Sequence, residues 1–446
     1  MSLSVVVLSQ HRLSIAYADK DSTFISPVAL QKKFTTVLEC RQYIRKIPSL
    51  FLGKGYPYVS LDSVKEDTAE TKILLFIGAR ASYFDLNTDA VETKALDAIG
   101  YISSGKRKKL YDHSDFAKLQ QQLINYYSNA GYPFATSALT GIGWHNDTLK
   151  ATLEVNKGVL YHVDSIRLYG KAKLSNYFLQ RYLNVTNGSI YRKDVLEQVG
   201  KKISELPFVT EIQPADITML GTGSVLNVYL NPKKSSQINF LVGFLPEGNN
   251  SGKLRLTGDV NLNLKNPFGN GETLLLNWQQ LQASSPRLNL GYNHPYIFNS
   301  AFGLDFNFDL LKKDSSYILL NAQAGMQFEI AAKQTGKIYF QNQSSYISGN
   351  GIDTNQVKLK KQLPDVVDYS VNSAGFEYEW NGTDYKFNPR KGNELKLSGS
   401  IGIKSIKKSN DILSIKDPSF NYVGLYDSVK LKTYQLRIKM SGAHYF

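Results

Sequence analysis

Residues 266–278 read NPFGNGETLLLNW, and residues 286–298 read PRLNLGYNHPYIF. In each, a strand-like run has one apolar face and one face that carries Asn or Arg, and a Gly-rich hexapeptide stands ahead of the first run. A period of two marks a β-strand whose faces differ in character. The pattern spreads outward from this stretch. Leu254, Leu256, Val260, Leu262 and Leu264 share one face, against Lys253, Arg255, Thr257, Asp259, Asn261, Asn263 and Lys265. Downstream, Phe302, Leu304, Phe306, Phe308 and Leu310 oppose Asp305, Asn307 and Asp309. Ala322, Ala324, Met326, Phe328 and Ile330 then oppose Asn321, Gln323, Gln327 and Glu329.

Two architectures produce such alternation. A soluble antiparallel sandwich buries the apolar face. A transmembrane barrel turns it to lipid and encloses the polar one. Several runs reach ten residues, longer than the about 5–6 of an ordinary strand and close to the about 9–11 of a tilted membrane strand. Trp278, Tyr292, Tyr296, Phe298, Tyr317 and Trp380 gather near run ends, where interfacial aromatic girdles lie. An antiparallel transmembrane β-barrel is therefore expected over 234–446, with about ten strands and with NPFGNG as a tight turn.

The first half differs. GKGYPYVSLDSV, NAGYPFATSALT and SELPFVTEIQPA carry Pro57, Pro133 and Pro207, spaced 76 and 74 residues apart. Such regularity implies one supersecondary unit used three times. Phe116, Leu119, Leu123 and Tyr126 form a helical stripe behind Ser114 as N-cap, and Val195, Val199, Ile203 and Leu206 form another. Two strand-like runs follow each proline. The expected unit is strand, helix, helix, strand, strand: an α+β repeat. Boundaries are expected at 1–81, 82–160, 161–233 and 234–446.

Composition narrows the function classes. A chain of 446 residues, 42% hydrophobic and 20% charged, is too long for one ordinary domain and too apolar for a disordered one. The net charge of +14 is scattered, apart from KRKK at 106–109, so no nucleic-acid partner is expected. No run approaches the about 18 apolar residues of a spanning helix. The start, MSLSVVVLSQ, lacks a basic leader, so no signal peptide is expected in it. Cys40, the single cysteine, sits in a helical pattern and is expected to be a buried structural thiol.

The segments SSQINFLVGFLPE, LTGDVNLNLKNPFGNG and YKFNPRKGNELKLSGSIG resemble the opening strands and the Asn-Pro-Arg-x-Gly turn of the BamA/TamA superfamily of outer-membrane assembly factors. The repeats, most clearly 161–232, resemble that family's periplasmic POTRA domains. The turn motif maps onto Asn388, Pro389, Arg390 and Gly392. The resemblance implies an outer-membrane protein with its repeats in the periplasm. Its partners would be unfolded outer-membrane protein clients, accessory periplasmic or lipoprotein subunits, and outer-membrane lipid. It implies open repeat edges at Tyr58–Ser63, Phe134–Gly143 and Val209–Thr218, with Val209, Ile212 and Ile217 as candidate client contacts. It implies a barrel seam at Gln237–Leu245, with Ile238, Phe240, Val242 and Phe244 outward. Family barrels have about sixteen strands, and the family's Arg-Gly-aromatic loop is absent here, so the chain is expected to be truncated at its C-terminus. Two alternatives stay open: a two-partner-type secretion pore, and a soluble or surface β-rich binding protein.

Enzymatic chemistry finds no support. His11, His113, His145, His162, His294 and His444 show no ligand spacing, and the Gly-rich turns lack the Lys and Ser/Thr of a phosphate loop. Glu377, Glu379, Asp305 and Asp309 are expected as lumen charges. No catalytic residue, cofactor or metal is expected.

Overall fold

The computed structural model describes residues 11–21, 23–101, 109–110, 113–246, 254–280, 285–298, 300–313, 316–331, 333–347, 352–364, 367–385 and 388–446. Residues 1–10, residues 106–108 of the basic run and the side chains of Leu254 and Leu256 lie outside the described residues.

Three four-stranded sheets come first. The first contains β1 (His11–Tyr17), β2 (Lys33–Phe34), then helix α1 (Val37–Leu52), β3 (Ser60–Glu66) and β4 (Glu70–Phe76), in the order β2-β1-β4-β3. The second contains β5 (Tyr83–Asn87), α2 (Thr93–Ala98), β6 (Lys109–Leu110), α3 (His113–Asn129), β7 (Thr136–His145) and β8 (Thr148–Asn156), in the order β6-β5-β8-β7. The third contains β9 (His162–Tyr169), α4 (Asn176–Leu183), β10 (Ser189–Ile190), α5 (Lys193–Glu197), α6 (Val199–Ser204), β11 (Val209–Leu220) and β12 (Gly223–Pro232), in the order β10-β9-β12-β11. The topology is the same each time, so the proline periodicity reports a real structural repeat.

Each sheet buries a helix stripe. In α1, Cys40, Ile44, Ile47 and Phe51 recur at helical spacing and are buried. Thr36 caps the helix by accepting from the Glu39 N–H at 3.2 Å, and Glu39 reaches back to the Thr35 N–H at 3.1 Å. Cys40 is a buried thiol whose pKa burial pushes up. In the third repeat, Phe178, Leu179 and Leu183 of α4 and Val199 and Ile203 of α6 close over Leu226, Val228 and Leu230 of β12.

Three expectations need correction. The first repeat has one helix among the described residues: between β1 and α1 the chain carries Pro27 and no helical stripe, and covers the core with Phe24, Val28 and Leu30 instead. Ser114 lies inside α3, which starts at His113, and so is no N-cap. The stripe through Val195 and Leu206 is broken into two short helices, α5 and α6.

From residue 237 the helical repeats give way to a ten-stranded antiparallel meander. Its strands are β13 (Gln237–Pro246), β14 (Leu254–Lys265), β15 (Thr273–Gln280), β16 (Arg287–His294), β17 (Phe302–Lys313), β18 (Tyr317–Ala331), β19 (Gln334–Ile347), β20 (Tyr369–Asn381), β21 (Gly392–Ile406) and β22 (Lys432–Tyr445). Neighbours in sequence are neighbours in space, and β13 and β22 remain as unpaired edges. GETLLLNW and PRLNLGY are adjacent strands, Leu276 facing Leu290, and NPFGNG is the turn ahead of them. The chain divides into two compact units. One holds the first two sheets; the other holds the third sheet, apart from His162 and Ile190, and the meander.

Candidate functional site

The meander is built inside out. On β19, Phe340 is 75% exposed, whereas Lys337 and its ion-pair partner Asp305 on the opposite face have side chains only 14% and 17% exposed. Cross-strand registers place Phe306, Ala324, Phe340, Ala374, Ile401 and Leu436 in one line across six strands. No second sheet covers this line: Phe306, Phe340, Ile401 and Leu436 are all exposed. A water-soluble sheet buries such a row.

The other face is a polar wall. Gln279 Nε2 donates to Asp259 at 2.8 Å, Asn321 Nδ2 to Asp309 at 3.1 Å and Gln341 Nε2 to Asn321 at 2.8 Å. Asn289 also donates to Asp309. All of these side chains except Gln341 line a cavity of 580 Å³ together with Arg287 and Gln343. Asp305 and Asp309 belong to this wall, as does Glu377, which faces Lys396 at 3.7 Å. Neighbouring strands thus supply partners for much of the wall, while the buried Asn263 Oδ1 and Asn277 Oδ1 on the same face find none among the described residues.

The edge strand β13 carries Ile238, Phe240, Val242 and Phe244 on the apolar face, all exposed, Phe240 by 73%. Leu241, on its other face, is exposed as well. At the far end of the sheet, Tyr434, Leu436, Ile438 and Met440 of β22 are also exposed. Both edges therefore combine an unpaired backbone with apolar side chains, the combination that accepts a further strand.

Two turns at one end of the meander clasp the third repeat. NPFGNG needs positive φ at Asn266 (55°), Gly269 (93°) and Gly271 (77°). The carboxylate of Glu272, fully buried, holds the turn by accepting from the N–H groups of Phe268 and, at 2.7 Å, Asn270. The formed turn presents the Gly269 carbonyl to the N–H of Ser175 at 2.8 Å, and Asn266 Nδ2 donates to the Lys173 carbonyl at 3.0 Å. Ser175 is the N-cap of α4, so the clasp is made at the helix start. Gly271 lies against the Phe178 ring, where no Cβ would fit. At the next turn, Tyr177 OH donates to the Ser300 carbonyl at 2.8 Å, and Tyr296 packs on Phe178 with ring centroids 6.0 Å apart.

Tyr296 thus corrects the girdle expectation. It packs half-buried against the third repeat's core, and this desolvation, with Glu329 nearby, pushes its pKa up to about 12. Burial also raises Tyr182 and lowers Lys202 on the repeat side of the clasp, where Tyr182 OH donates to the Lys202 carbonyl at 2.8 Å. Trp278, Tyr292, Tyr317 and Trp380 do lie at or near strand ends.

The Asn388-Pro389-Arg390-Gly392 motif forms the turn between β20 and β21. Asp384 organises it: its Oδ1 accepts from the N–H groups of Arg390 (2.9 Å), Lys391 (3.1 Å) and Tyr385 (3.0 Å), and these bonds hold its carboxyl below the usual range. A depressed carboxyl supports the fold above its unfolded pKa and loses that support as pH falls through the folded value. The protection of the Arg390 and Lys391 amides, measured relative to the intrinsic exchange rate at each pH, is therefore expected to be high at neutral pH and to fall below about pH 4. Asp384→Ala should lower this protection at neutral pH and lose its effect in acid, where the wild-type carboxyl is protonated; unchanged protection at neutral pH in that variant would refute the role. Gly392 has φ of 111°, and a Cβ there would stand 2.6 Å from the Gly382 carbonyl oxygen.

The strands proposed as client contacts are edges: β3, β7 and β11 each lie outermost. Each is also interrupted, between Leu61 and Ser63, between Thr140 and Gly143, and at two places between Glu211 and Asp216. Pro214 sits in the last of these and offers no N–H. Bulges and proline blunt an edge, which leaves Asp216–Leu220 as the regular part of β11. Val209 belongs to the core, Ile212 is 55% exposed and Ile217 is half-buried. The sequence showed Pro214 but not the bulges around it.

No protein-family model matches the sequence, and no curated protein matches it. Among solved structures, the chain is similar to BamA from Haemophilus ducreyi lacking POTRA domains 1–3, with 16% identity and a TM-score of 0.45, over 72% of this chain and 65% of that one. It is similar to CdiB from Acinetobacter baumannii at 15% identity and a TM-score of 0.39, over 73% and 61% of the two chains. It is similar to CdiB from Escherichia coli at 13% identity and a TM-score of 0.43, over 91% and 72%. The chain spans less than two thirds of the first two structures.

Proposed function

We propose that the chain is a non-enzymatic outer-membrane assembly factor of the BamA/TamA type, with repeats at 1–81, 82–160 and 161–233 in the periplasm and 234–446 in the bilayer. One observation carries the reading: the apolar face of the meander is the exposed one and the polar face the sheltered one. In hydrocarbon every backbone N–H and C=O needs a partner, so a client strand entering the bilayer must add to an existing edge. The β13 edge, with Ile238, Phe240, Val242 and Phe244 outward, is the template in this reading. Repeat edges, foremost Asp216–Leu220 with exposed Ile212 beside it, hold extended clients beforehand by strand addition. The clasp at Ser175 and Phe178 then keeps the third repeat at the foot of β14 and β15. Client folding supplies the driving force.

The export-pore alternative is favoured by one feature, the polar wall around the 580 Å³ cavity. Photo-crosslinking separates the two. With a photoreactive residue at Val242 or Ile212, an unfolded barrel client should crosslink at both positions and a folded client at neither. If Gln343, on the polar wall, captures the client while Val242 does not, the template reading fails and transit through the interior takes its place.

A further inference from the structure

At one end of β19 and β20 the apolar face of the meander turns polar. Asn342 Nδ2 donates to Asn372 Oδ1 at 2.6 Å and to Ser370 Oγ at 3.2 Å, and Ser344 Oγ donates to Asn342 Oδ1 at 3.0 Å. Register puts Phe308, Ala322, Asn342, Asn372 and Ile403 in one line, next to the line through Phe306, Ala324, Phe340 and Ala374. The four polar residues thus stand on the face that carries Phe340. Ala322 and Ala324 leave a groove of 330 Å³ walled by Phe306 and Phe340, and Asn342 and Asn372 close one end of it. This volume lies at the low end for ligand clefts, about 300–1,000 Å³. Two cations stand beyond the polar end. Lys432 is reached along the register from Ser370 through Ser405, and Lys407 Nζ lies 5.0 Å from the Tyr346 ring.

We propose that this groove holds one acyl chain of an anionic lipid, with the ester or amide carbonyl at Asn372 and the headgroup phosphate at Lys407 and Lys432. The proposal rests on the membrane reading above. The exposed Asn372 amide donates to no protein group among the described residues, so its N–H groups are open to a carbonyl. An amide without an acceptor on a hydrocarbon-facing surface is costly, and a lipid carbonyl removes that cost. Greasy walls, a polar stop and a basic margin follow one another along the strands in the order of chain, linkage and headgroup in a lipid.

The full chain is reconstituted into vesicles of phosphatidylcholine with and without phosphatidylglycerol, floated, and analysed by native mass spectrometry for retained lipid. Wild-type chain is expected to keep one phosphatidylglycerol and to prefer it over phosphatidylcholine. Ala324→Phe, which fills the groove, and Asn372→Leu, which removes the donors, should each lower retention about tenfold or more. Equal retention of the two lipids, or undiminished retention in both variants, overturns the proposal while leaving the membrane reading intact. A lipid-free dimer abolished by Ala324→Phe overturns it in favour of a second copy. Failure of the wild-type chain to float overturns the membrane reading itself.

Discussion

Phe340→Lys is expected to cost about 2–4 kcal/mol in a bilayer, the penalty for a lysine near the midplane of a lipid-facing barrel surface. That corresponds to roughly 30- to 900-fold in the folded-to-unfolded ratio. Phe340 is the right probe because it sits in the middle of β19, faces away from the polar wall and is paired across the register with the small Ala324 and Ala374. In water the same change at an exposed position would stay within about 0.5 kcal/mol. Gln343→Lys provides the control, since Gln343 lines the polar cavity. Folding into vesicles across a urea titration, read by heat-modifiable gel mobility, should show a large shift for the first variant and a small one for the second. Equal tolerance of both, with chain soluble in plain buffer, would end the membrane assignment.

Gly271→Val should loosen the third repeat from the meander. The backbone at Gly271 has φ of 77°, where a β-branched residue costs about 1–3 kcal/mol. The added side chain would also drive into the Phe178 ring, an overpacking cost of about 1–3 kcal/mol. Both penalties fall on the clasp, because Phe178 belongs to the third repeat's core and Gly271 to the turn ahead of β15. Protease cutting after Lys233 and Lys234, between β12 and β13, is expected to speed up while both flanking sheets persist. Combining Gly271→Ala with Phe178→Leu should relieve the ring contact and recover part of the resistance, leaving the backbone strain. Wild-type proteolysis in Gly271→Val would show that the clasp carries no energy.

Much of the meander was legible in the primary structure because strand alternation is local. Whether Leu274, Leu276 and Trp278 share a face depends on residues two apart, and NPFGNG names its own turn through its glycines. The repeat was visible for the same reason, its proline and flanking stripe recurring in each copy. The clasp was not legible. Asn266 and Lys173 are 93 positions apart, and neither residue type announces a partner. Tyr296 shows the limit well: near a strand end it looks like any girdle aromatic, and only the position of Phe178 makes it part of a core. The first repeat's missing helix had a visible cue in Pro27, which the analogy with the other two copies overrode.

By itself, then, the order of residues settled the α+β repeats, the strand faces and the turn chemistry, each decided by neighbours within a few positions. Tertiary structure decided the bulged repeat edges, the cross-strand hydrogen bonds of the polar wall, the unpaired β13 and β22, and the grip of two turns on α4. These depend on pairing between distant segments, whose register is set by the sum of many weak contacts and is written in no single stretch of chain.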